Sequence, residues 1–157
     1  ATVVSLMETS PASKHHCVVL TSGTVKCWGK GDDGQLGNGG SSNVGSSPGE
    51  MGDSLAVVDL GAGKSATQLA GGSGHTCAKL DDGSVKCWGL CSCYGDAVAR
   101  GDGVGAMGDE LPSVDLGTSR TALVISSGAE HTCAILDDGS VKCWGISDAG
   151  QLGYEDG

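Results

Sequence analysis

Apolar residues in this chain fall in short runs of mostly small side chains, such as ATQLAGG, TALVISSG and SVKCWG, separated by stretches rich in Gly, Asp and Ser. Near-continuous apolar character over so few positions suits a short strand in a sheet covered on both faces. No run is long enough to cross a membrane as a helix, so membrane insertion is not expected. The runs recur in order: HHCVVLTSGTVKCWG starts at His15, HTCAKLDDGSVKCWG at His75 and HTCAILDDGSVKCWG at His131. His75 and His131, Trp88 and Trp144, Met51 and Met107, and Asp59 and Asp115 all share an offset of 56. From Trp28 to Trp88 the offset is 60, which puts four extra residues in a loop after Trp28. Such self-similarity predicts one supersecondary unit used repeatedly, with about four short strands per period.

Each phrase reads as a hairpin closed by a three-residue loop whose final Gly takes the left-handed conformation. If Leu80 faces Ser84, counting outward sets Cys77 opposite Cys87. The same count opposes Cys17 to Cys27 and Cys133 to Cys143. These are non-hydrogen-bonded positions, where opposed Cα atoms lie about 4.5 Å apart and a disulfide fits. His75 and Cys77 share a strand face, so a Cys–His nucleophile or a Cys2His metal site can also be drawn. Both are weaker readings, because a catalytic pair would have to occur three times and the zinc-knuckle CxxC spacing is absent. The Asp-Asp-Gly triplets at 32–34, 81–83 and 137–139 lack the ligand spacing of a calcium loop, and turn chemistry accounts for the latter two. Neither metal nor cofactor is expected.

Composition narrows the picture. With 29 glycines, no Phe and 3% aromatic residues in 157 positions, there is little bulk to fill a core, and cross-links compensate. Each hairpin disulfide contributes about 2–3 kcal/mol in the chain-entropy account. Eight cysteines point to an oxidising compartment, secreted or cell-surface. A chain opening on Ala1 reads as a mature product or a fragment. A net charge of −10 without a basic cluster argues against nucleic-acid binding. GQLG occurs at 34–37 and 150–153, and the middle repeat carries LCSCYGDAVARGDG in its place. That insertion holds Cys91 and Cys93, left free, bonded to each other or bridged to another chain. Ser10-Pro11 and Ser47-Pro48 read as turns, with O-glycosylation as the second reading.

The order GQLG loop, VDLG, apolar strand, His-Thr-Cys-Ala, Asp-Asp-Gly-x-Val-x-Cys-Trp-Gly resembles the repeat of the regulator of chromosome condensation family over nearly the whole chain. The resemblance implies an all-β fold of four-stranded antiparallel blades in a β-propeller, usually seven to a ring. It implies no activity, because that family spans an exchange factor, ubiquitin-ligase domains, a photoreceptor and a secreted inhibitor. The cysteine pairs resemble its secreted and cell-surface branches. Residues 1–22 read as the end of a repeat, 23–82 and 83–138 as full repeats, and 139–157 as the start of another, or about three blades, open or completed by another chain. The two ends read as complementary halves of one blade. The expectation is an extracellular, non-enzymatic structural module assembling head to tail, residues 1–22 against 139–157 of a neighbour, as the subunit of a fibre. A secreted binding domain for a protein or glycan, and a piece of a longer seven-bladed propeller, stand as alternatives.

Overall fold

The computed structural model describes residues 2–96, 98–103 and 105–154, so Ala1 and the last three residues of the 139–157 segment lie outside it. The chain forms three sheets, blades A, B and C. Blade A comprises β1 (Val3–Leu6), β3 (His15–Leu20), β4 (Val25–Gly29) and β5 (Val57–Val58), hydrogen-bonded in the order β1-β3-β4-β5. Blade B comprises β2 (Glu8–Thr9), β6 (Ala66–Gly71), β7 (His75–Leu80) and β8 (Val85–Gly89), in the order β2-β6-β7-β8. Blade C comprises β9 (Ala122–Ser127), β10 (His131–Leu136) and β11 (Val141–Gly145), in the order β11-β10-β9. The helical turns among the described residues are two 3-10 turns, Gly52–Ser54 and Gly108–Glu110.

The hairpins follow from their turns. Leu20 donates to the Thr24 carbonyl at 2.9 Å and Gly23 to the Leu20 carbonyl at 2.8 Å, with Gly23 at φ 77°. Leu80–Ser84 and Leu136–Ser140 close in the same way. In both, the second Asp of the triplet organises the turn: Asp82 Oδ1 accepts from Ser84 N and Oγ, and Asp138 Oδ1 from Ser140 N and Oγ. The resulting register opposes Cys17 to Cys27, Cys77 to Cys87 and Cys133 to Cys143, with Cα atoms 4.0–4.1 Å apart, and each pair is bonded.

One expectation is corrected. Residues 1–22 are not a half-blade awaiting a partner. β1 and β3 pair with β4 and β5 of their own chain, because the tight turn at Thr21–Gly23 leaves β3 no other neighbour on that side. A blade is built from the end of one repeat and the start of the next, so the repeat boundaries at 23, 83 and 139 fall within hairpins. The blades are antiparallel as expected, with one pairing in the other direction. β2 pairs parallel to β6, Glu8 against Ala70 and Thr9 against Gly71, since the chain leaving β1 crosses to the next blade before returning as β3.

Blades stack face to face, and the cores lie between them. Cys17, Val25 and Leu36 meet Leu69, Leu80 and Trp88 between A and B. Cys77, Val85 and Cys87 meet Ile125, Leu136 and Trp144 between B and C. Every blade therefore has a disulfide-bearing face and a tryptophan-bearing face.

Candidate functional site

The most ordered polar chemistry lies in the blade-to-blade joints. Between A and B, His15 Nε2 lies 2.7 Å from Thr76 Oγ1, and that hydroxyl donates to the Gln35 carbonyl at 2.9 Å. The Gln35 carbonyl also accepts from Trp88 Nε1 at 2.9 Å. Gln35 belongs to the GQLG loop, where Gly37 at φ 62° passes so close that an added Cβ would sit 2.8 Å from the Trp88 nitrogen. Between B and C the imidazole–hydroxyl contact recurs, His75 Nε2 to Thr132 Oγ1 at 3.0 Å. There the GQLG loop is replaced, and Trp144 Nε1 is buried without a partner among the described residues. Gln68 compensates in part by bonding both the carbonyl and the N–H of Ile125.

A histidine beside a hydroxyl is also the arrangement of a nucleophile and its base. These pairs serve packing instead, because His15, Thr76 and Thr132 are 0% exposed and no substrate reaches them. Burial first, and then the nearby His75 ring, holds His15 down to about 4. Burial, followed by His131, holds His75 down to about 4. Both rings are neutral at physiological pH. Lys86 is similarly structural: its buried ammonium donates to the carbonyls of Leu60 at 3.0 Å and Gly108 at 2.7 Å, and burial lowers its pKa.

The outer faces of blades A and C carry the same positions without a neighbour. Leu6 occupies the register position of Leu69 and Ile125; the latter two are 0% exposed and Leu6 is 70% exposed. Val141 occupies that of Val25 and Val85, which are 0% exposed, and is itself 62% exposed. The loop after Trp144 has the internal bonds of the loop after Trp28. Gln35 Oε1 accepts from Asp33 N and Gln151 Oε1 from Ala149 N, both at 2.8 Å. Gly150 and Gly153 repeat the positive φ of Gly34 and Gly37.

The remaining candidates are placed as follows. Cys91 and Cys93 are bonded to each other. The Sγ atoms of Cys77, Cys87 and Cys93 lie within 4.8 Å of one another, but all three are committed to disulfides rather than available as thiolate ligands. Ser10 is buried and its hydroxyl accepts from Ala12 N, whereas Pro11, Ser47 and Pro48 are exposed. Sequence reasoning did not single out Thr76, Thr132, Lys86 or the Gln35 carbonyl. The signal for the first three was their recurrence within the repeated phrase.

The profile described as regulator of chromosome condensation (RCC1) repeat matches residues 13–35, 66–96 and 124–151. The ultraviolet-B receptor UVR8 of Arabidopsis thaliana is 34% identical over 148 residues, covering 92% of this chain and 31% of the receptor. The E3 ubiquitin-protein ligase HERC2 of Homo sapiens is 29% identical over 151 residues, covering 96% of this chain and 3% of the ligase. Among solved structures, Prp20p from Saccharomyces cerevisiae, described with its binding to Gsp1p and histones, aligns with a TM-score of 0.71 at 21% identity, over 98% of this chain and 34% of Prp20p. The chain spans about a third or less of the length of these proteins.

Proposed function

The chain belongs to the regulator of chromosome condensation repeat family, and from that membership we propose that it is a non-enzymatic, extracellular assembly module in which blade C of one copy packs on blade A of the next. The observation that carries this reading is the pairing of unmatched halves. Blade C presents His131, Val141 and the preformed Gln151 loop, the equivalents of His15, Val25 and the Gln35 loop. Blade A presents Leu6 and Trp28, the equivalents of Leu69 and Trp88. Docking the two repeats the joint seen between A and B, with Trp28 Nε1 donating to the Gln151 carbonyl. His16 stands where blades B and C have Thr76 and Thr132, so His131 meets an imidazole there instead of a hydroxyl. Burying Leu6 and Val141 contributes about 1.5–3 kcal/mol each. The extracellular setting is supported by cysteine usage.

A joint of this kind is heterologous, giving a ring if the rotation closes and a filament if it does not. Further blades of a longer polypeptide would use the same two faces, and mass separates the two occupants. Light scattering of the 157-residue chain should give a molar mass that rises with concentration. Electron micrographs should show rings or filaments. A monomer at every concentration overturns self-assembly.

A further inference from the structure

Blade B departs from its neighbours after Trp88, where LCSCYGDAVARGDG stands in place of the GQLG loop of blades A and C and puts LCSC at the positions of residues 30–33. The departure sets one disulfide against another. Cys93 Sγ lies within 4.8 Å of both sulfurs of the Cys77–Cys87 bond, while blades A and C have one disulfide each. Tyr94, the next residue, ties this loop to the strand beneath: its hydroxyl accepts from Cys87 N at 3.0 Å and lies 3.0 Å from the Cys87 carbonyl. Cys93 is therefore held beside the hairpin bond. Cys91 lines a cavity of about 270 Å³ with Lys30, Asp33, Ser73, Glu130 and Ile146, and Cys93, equally exposed at 6%, lines a second one with Tyr94, Lys142 and Trp144. Cys77 and Cys87 are 0% exposed and have no such access.

We propose that this site performs thiol–disulfide exchange, with a small thiol attacking Cys91 through the cavity and Cys93 passing the exchange to the buried Cys77–Cys87 bond. The incoming thiol loses its proton to solvent, and its thiolate attacks Cys91 Sγ. A mixed disulfide forms on Cys91 as the Cys91–Cys93 bond breaks, and the electron pair leaves on Cys93 Sγ. The Cys93 thiolate then attacks one sulfur of the hairpin pair, forming a new bond to it and releasing the other as thiolate, which takes a proton. One bond forms and one breaks in each step, with no external oxidant. A second small thiol clears Cys91 by the same chemistry. Proximity favours this route, since Cys93 Sγ already lies within 4.8 Å of either sulfur. The site thus gives a solvent-borne thiol indirect access to a bond it cannot touch.

Limiting reduced glutathione as the probe, followed by an acid quench, alkylation and non-reducing peptide mapping of the intact folded chain, tests this. The expected products are glutathione on Cys91 and a bond from Cys93 to Cys77 or Cys87, with Cys17–Cys27 and Cys133–Cys143 unchanged. Reduction of Cys91–Cys93 with Cys77–Cys87 untouched overturns the proposal, as does even glutathionylation of all four bonds. The Cys91→Ser chain leaves Cys93 as a standing thiol. A measurable fraction of it should carry the Cys93 bond to the hairpin without any reductant. Quantitative recovery of free Cys93 beside an intact Cys77–Cys87 bond overturns the proposal as well.

Discussion

At the scale of single residues, the two joints form a natural comparison. Trp88 Nε1 donates to the Gln35 carbonyl, whereas Trp144 Nε1 is buried and unpartnered. Trp88→Phe removes a made hydrogen bond and leaves the Gln35 carbonyl with the Thr76 hydroxyl as its remaining donor; Trp144→Phe removes only an unsatisfied donor. Denaturant titration should show Trp88→Phe the costlier by about 1–2 kcal/mol, and equal costs would contradict the joint as described. The joint histidines add a pH dependence. His15 and His75 titrate near 4 when folded and near 6.5 when unfolded. The unfolded chain thus binds more protons between those values, so stability is fully present above about pH 6.5 and falls as pH drops toward 4. In His75→Gln the fall should be shallower; parallel curves for the two proteins would contradict burial as its source. The cysteine pairs were legible at this scale because turn and register are local arithmetic. The Gln35 carbonyl was not, since a backbone acceptor leaves no mark in side-chain identity.

At the scale of elements, the three hairpins share one turn in three surroundings. Gly83 and Gly139 have nearly the same φ, 78° and 82°. An added Cβ at Gly83 would lie 2.6 Å from Thr121 Cβ, while at Gly139 it meets nothing within 4 Å. Both Gly→Ala changes cost about 1–2 kcal/mol for the left-handed backbone, and Gly83→Ala should cost more because Thr121 must also move. Equal losses of thermal stability would show that the contact between the B hairpin and the strand leading into blade C yields freely. Strand identity was readable from the apolar runs, and β3, β4, β7, β8, β10 and β11 lie where the repeated phrase puts them. Blade membership was less so. The sequence repeat starts mid-hairpin, and β2 is a two-residue strand with no pattern of its own, defined only by the neighbouring blade that β1 hands it to.

At the scale of the whole molecule, what counts is that the blades are alike and the outer two are each missing a neighbour. Leu6 and Val141 are core residues by position and surface residues by exposure, which no reading of one repeat alone reveals. Because the joint has a donor side and a receiver side, the two end faces should fit each other and not themselves. The direct test uses two singly blocked chains, Leu6→Asp on blade A and Val141→Asp on blade C. Each buries a charge at one face only, which a joint does not tolerate. Light scattering should find each variant monomeric alone, and a one-to-one mixture should give a dimer and nothing larger, since one joint remains available. If the mixture stays monomeric while the intact chain assembles, the assembly does not use these two faces, and the head-to-tail account is wrong.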